Sequence, residues 1–136
     1  MSNEYGYRLA LPMGMTDAIP AVTAALKDEG FGVLTQIDVQ ATMRAKLGVE
    51  TKPYMILGAC NPNLAYRGLQ EEPELGLLLP CNVIVYDNGD ETSTVSVVDP
   101  LQMLGVVDNP ELTPIAEEAD SRLRRVIAQL STQVAA

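Results

Sequence analysis

The stretch Cys81–Val98, CNVIVYDNGDETSTVSVV, constrains the fold of this chain more than any other. Cys81–Tyr86 (CNVIVY) and Thr92–Val98 (TSTVSVV) are rich in the β-branched residues that suit a pleated, half-buried surface. Between them, Asp87-Asn88-Gly89-Asp90 sets four turn-forming residues in a row. Two strand-forming runs across so short a polar turn read as a β-hairpin, and a hairpin is antiparallel. The rest of the chain must therefore supply partners for an antiparallel ribbon and cover its apolar face.

Upstream, strand and helix patterns alternate. Glu4–Leu11 (EYGYRLAL) alternates as a strand and is closed by Pro12 and Gly14. A helix follows, with Thr16 or Asp17 as its cap, Ile19, Val22 and Leu26 as its apolar stripe, and Gly30 as its stop. FGVLTQI (31–37) reads as a strand, and Asp38 caps a short helix with Val39, Met43 and Leu47 on one face. Tyr54–Ala59 (YMILGA) is apolar on both faces, as an interior strand requires. Asn61-Pro62 then has the form of a helix cap and first helical residue.

After the hairpin, Asp99-Pro100 breaks the last strand and a loop runs to Asn109. Thr113-Pro114 opens the final helix, with Ile115, Ala119, Leu123, Val126, Ile127 and Leu130 as its stripe and a frayed tail beyond. The order β-α-β-α-β-α-β-β-α over 136 residues predicts one α+β domain. Four helices cover one face of a largely antiparallel five-stranded sheet, with the core spanning about residues 5–130.

Composition narrows the function. The formal net charge is −9, and the nine basic residues are scattered except for Arg122, Arg124 and Arg125, so a nucleic-acid partner is not expected. Those arginines fall late in a helix, where they complement its dipole. No apolar run reaches the ~18 residues that span a bilayer, and the start MSNEYGYRLA lacks the features of a signal peptide. The cytoplasm is the expected location, with both cysteines reduced.

Each cysteine precedes an asparagine: Cys60-Asn61 and Cys81-Asn82. If the strand ending at Cys60 is antiparallel to the one starting at Cys81, both pairs meet at one end of the sheet. The hairpin returns Asp99 to that end, and Met103 follows it. Cys60, Asn61, Cys81, Asn82 and Asp99 thus form a candidate ligand or thiol site. Cys60 lies beside a helix N-terminus, which favours a thiolate, whereas Cys81 merely enters a strand. The plainer reading is that both cysteines pack as small hydrophobes.

The chain has no histidine, which removes histidine-based triads and the commonest metal ligand. Two cysteines cannot complete a structural zinc site. A soft Cu(I) site from Cys60, Cys81 and Met103 matches no recognised spacing, so no metal is assigned. No glycine-rich phosphate loop is present, and no cofactor is indicated.

ILGACNPNLAYRGLQEEPELGLLLPCNVIVY, with GFGVLTQIDVQATMRAKLG before it and VSVVDPLQML after it, resembles the domain of unknown function 302 family. The likeness runs from about Tyr5 to Leu130, and its most specific parts are ACNP and GLLLPCNV, which mark the two-cysteine members. The resemblance implies a compact α+β fold grouped with that of the TATA-binding protein, and a homodimer. It brings no assigned activity. Gly68 stands where the family commonly has alanine. The expectation is a domain that binds a small ligand or partner at the sheet end carrying Cys60 and Cys81. The alternative is a thiol-dependent sulfur carrier, redox relay or soft-metal handler using the same two cysteines.

Overall fold

The computed structural model describes residues 5–135. Its five strands are β1 (Gly6–Leu11), β2 (Gly32–Asp38), β3 (Tyr54–Cys60), β4 (Cys81–Asp87) and β5 (Ser93–Val98). They form one sheet in the order β1-β5-β4-β3-β2, and every neighbouring pair is antiparallel. The helices are α1 (Met15–Asp28), α2 (Val39–Leu47), α3 (Pro62–Glu71), α4 (Pro100–Leu104) and α5 (Thr113–Ala135). Tight 3₁₀ turns at Pro73–Leu78 and Pro110–Leu112 complete the connections. This is the antiparallel α+β architecture that the hairpin and the alternating patterns predict. Glu4, the first residue of the expected first strand, lies outside the described residues.

Cross-strand register builds the core. Leu57 pairs with Val83 and Val83 with Val97, while Val85 pairs with Val95, so these side chains share one face of the sheet. All five are fully buried against Val22 and Leu26 of α1 and Leu123, Val126 and Leu130 of α5. Each such side chain contributes about 1.5–3 kcal/mol on leaving water.

Four expectations need correction. α2 carries Val39, Met43 and Leu47 at helical spacing, yet it buries no residue, so it is not part of the layer that covers the core. Periodicity gives a helix an apolar stripe, but another element must lie on that stripe to bury it. Second, α1 begins at Met15, ahead of the expected cap, which leaves Pro20 inside the helix.

The third concerns α5. It continues to Ala135 instead of fraying after Leu130, and its last turn holds no basic residue. The arginines therefore serve ion pairs rather than the dipole: Arg122 and Arg125 reach Glu29, and Arg124 binds Asp120. The expected loop after Asp99 also contains α4, a single helical turn.

Candidate functional site

The antiparallel pairing of β3 with β4 places the end of the first strand and the start of the second at one end of the sheet. Ala59 lies opposite Cys81, and Cys60 is the next residue along. Val83 pairs with Val97, so Asp99 lies level with Cys81 just past the end of β5. The residues singled out in the sequence thus share one end of the sheet, but their side chains part company there.

Cys60 and Cys81 line one small apolar cavity of about 40 Å³, with Phe31, Leu64, Leu75 and Leu104 among its walls. Cys81 is buried and Cys60 half-buried. Burial pushes the Cys81 thiol up to about 11, and the nearby Cys60 adds to the shift. Burial also raises Cys60. The acidic thiol expected at the α3 N-terminus is therefore not found: loss of water around Cys60 opposes the thiolate.

Asn61 is buried and structural. Its Oδ1 accepts from the Leu64 N–H at 3.3 Å as the cap of α3, and its Nδ2 donates to the Glu29 carbonyl at 3.5 Å. Asn82 lies opposite Gly58, one residue out of phase with Cys81. The two-residue period of a strand puts it on the other face of the sheet, where it is exposed. Asp99 caps α4, accepting from the Leu101 N–H at 2.9 Å, and it lies outside the cavity wall. Met103 lines a different hollow, with Tyr5, Val98 and Gln102, so the three sulfurs of the conceivable soft-metal set do not share one cavity. Among the described residues, no three Cys, Asp or Glu side chains are grouped to hold a metal ion.

A larger concavity borders the cysteine cavity. A groove of about 410 Å³ runs between α4 and the start of α5, bounded by Leu101, Leu104, Val107, Leu112 and Ala116, with Asp108, Asn109 and Thr113 as polar groups. Leu104 lines both the groove and the cysteine cavity. The sequence reading missed this groove. Its signal was present in Asp99-Pro100 followed by Leu101 and Leu104, which is a cap, a first-turn proline and an i,i+3 apolar pair.

The class defined by these features is a one-sheet antiparallel α+β domain with a layer of helices and a two-cysteine cavity at one sheet end. Residues 7–130 match the family described as domain of unknown function DUF302, and the chain belongs to that family. Its fold is similar to that of a crystal structure titled an uncharacterized conserved protein DUF302 from Bacillus stearothermophilus. The TM-score is 0.85 at 32% sequence identity, over 94% of this chain and 99% of that one. No match is found among curated proteins. Among the described residues, no helix is long and apolar enough to cross a membrane.

Proposed function

We propose that this chain binds a small, largely apolar ligand at the sheet end carrying Cys60 and Cys81. The ligand body occupies the groove between α4 and α5, and one end rests on the Leu104 wall of the cysteine cavity. One observation carries this reading: Leu104 is a shared wall of a groove of about 410 Å³ and of the apolar cavity lined by Cys60 and Cys81. A volume in that range is typical of small-molecule sites, whereas the cavity of about 40 Å³ alone holds only a few atoms. Asp108, Asn109 and Thr113 suit a ligand with a hydrogen-bond donor at its exposed end.

In this reading the cysteines form an apolar floor, Asn61 holds that floor in place, and Asn82 and Asp99 act outside the pocket. The thiol-dependent alternative needs a thiolate near neutral pH, and burial moves both thiols the other way. No reaction or cofactor is assigned. The chain acts as a homodimer in the cytoplasm, without nucleic-acid or membrane partners. The net charge of −9 argues against a nucleic-acid partner.

The test is an NMR titration of the isotopically labelled chain with 1-octanol. Saturable shifts confined to Leu101–Ala116 and Cys81 are expected. Shifts that are spread over the surface, or that never saturate, would sink the proposal.

A further inference from the structure

The groove between α4 and α5 has a one-sided set of polar groups. Of the described residues that line it, Asp108 alone is charged and none is aromatic. Asp108 makes no ion pair among the described residues. No lysine or arginine occurs in residues 99–121, and Arg67, which reaches α5 from α3, is engaged with Glu118.

The N–H groups along the groove are largely taken. Gly105 donates to the Leu101 carbonyl, Val107 to that of Leu104 and Asn109 to that of Val107. At the approach to α5, the Glu111 N–H donates to Asn109 Oδ1 and the Leu112 N–H to the Asn109 carbonyl. The Thr113 N–H donates to the Pro110 carbonyl, and prolines 110 and 114 have no N–H at all. The Asn109 side-chain amide is committed to the Glu71 carbonyl. This helix start therefore lacks the row of free donors that makes such an end an anion site. Apart from the Thr113 hydroxyl, which can donate or accept, the groove offers a ligand the Asp108 carboxylate, and that only accepts.

We infer that the ligand is a primary or secondary alkylamine, bound as its ammonium ion. Its N–H groups donate to Asp108, and its alkyl body lies along Leu101, Leu104, Val107, Leu112 and Ala116. This rests on the groove reading above and names the ligand class for it. An alkylamine titrates much as a lysine side chain does, near ~10.4, so it is a cation at neutral pH. A carboxylate or phosphate would meet Asp108 with like charge and find few donors. A quaternary ammonium has no N–H to give, and the aromatic rings that recognise such ions are missing from the groove. Asp108 is exposed, so the ion pair sets a modest preference while the apolar body supplies most of the affinity.

The test is an NMR titration of the full chain at pH 7 and low salt with four probes that share one eight-carbon chain: octylamine, 1-octanol, octanoate and octyltrimethylammonium. Octylamine should bind about two- to fivefold more tightly than 1-octanol, and octanoate and octyltrimethylammonium more weakly than octylamine. Asp108→Asn should abolish the difference between amine and alcohol. Glu91→Gln removes an equal charge from the β4–β5 turn and should leave that difference intact. In the wild type, raising salt to about 0.5 M should shrink the difference, a readout that needs no variant. Equal binding of amine and alcohol, tighter binding of octanoate, or an amine preference that survives Asp108→Asn overturns the amine inference and leaves the groove standing. Failure of every probe to saturate, 1-octanol included, overturns both.

Discussion

Asn61 and Glu29 are joined across 32 positions of sequence: the Asn61 side-chain amide donates to the Glu29 carbonyl oxygen at 3.5 Å. The same carbonyl accepts from Arg122 at 3.3 Å, so the end of α1, the start of α3 and the middle of α5 meet at one oxygen. That oxygen belongs to the turn where α1 gives way to β2. An asparagine that looked like part of a reactive Cys-Asn pair is thus a bracket holding the floor of the proposed pocket.

Replacing Asn61 by alanine removes both the α3 cap and the bridge, and leaves the buried Leu64 N–H without its acceptor. A loss of about 1–3 kcal/mol of stability is expected in urea unfolding, with Asn61→Ser recovering the cap share of about 1 kcal/mol. Gly30 reports on the same bracket. Its φ is +82°, and a Cβ there would lie 2.9 Å from Asn61 Nδ2, so Gly30→Ala combines backbone strain with a collision. It should cost at least as much as a single strained residue, about 1–3 kcal/mol. A neutral result for both variants would show that the bracket has no energetic role.

The two thiols set a pH dependence whose sign is fixed by burial. Burial holds the folded Cys81 thiol at about 11, against an ordinary value of 9.0. Below pH 9 both folded and unfolded chains keep the proton, so this group leaves stability unchanged. Between pH 9 and 11 the unfolded chain loses the proton and the folded one holds it, so stability falls as pH rises, by on the order of 2–3 kcal/mol. Urea unfolding at pH 7 and pH 10.5 should show the fall, and Cys81→Ala should make it smaller. At pH 7 an aromatic disulfide reagent should react slowly with Cys60 and reach Cys81 only on unfolding. A fast native thiol at neutral pH would revive the thiol-dependent reading.

Tyr7 anchors β1 to α5. Its hydroxyl donates to Asp120 Oδ1 at 2.7 Å and accepts from Arg124 at 2.7 Å, while Arg124 also binds Asp120 at 2.8 Å and lies over the Tyr7 ring. Burial first, then the Asp120 hydrogen bond, pushes the phenol up to about 12. Tyr7→Phe deletes a hydrogen bond to a charged, buried acceptor, and about 1.5–3 kcal/mol should be lost at pH 7. Because the folded phenol holds its proton longer than the unfolded one, wild-type stability must also decline between pH 10 and 12. Tyr7→Phe should remove that decline, and absorbance titration of the tyrosines gives an independent reading.

What was legible in the sequence was local. The hairpin, the Asp38 cap and the Asn61-Pro62 start of α3 depend on residues within a few positions of one another, and each is found where its pattern points. The antiparallel β3–β4 pairing, and so the meeting of Cys60 and Cys81 at one end, was only assumed, since strand pairing is not written in either strand alone. The exposure of α2, the groove beside Leu104 and the weak acidity of Cys60 depend on what other elements cover. For Cys60 the local helix N-terminus and the tertiary burial act in opposite directions, and only the first shows in the sequence.

Gly68 sets a local and a tertiary effect against each other in a way that can be measured. A glycine inside a ten-residue helix costs about 1 kcal/mol relative to alanine, so Gly68→Ala should stabilise α3. An added Cβ would, however, come within 2.6 Å of Leu75 Cδ2, and Leu75 is buried. Leu75 also lines the cysteine cavity of about 40 Å³, so its methyl group has empty space into which it can turn. The helix term should therefore win, with a gain of up to ~1 kcal/mol in urea unfolding. Adding Cys81→Val enlarges a side chain in that same cavity wall and removes the room that Leu75 needs. In that background Gly68→Ala should lose its benefit or become destabilising. A benefit that persists there would show that Leu75 escapes by another route.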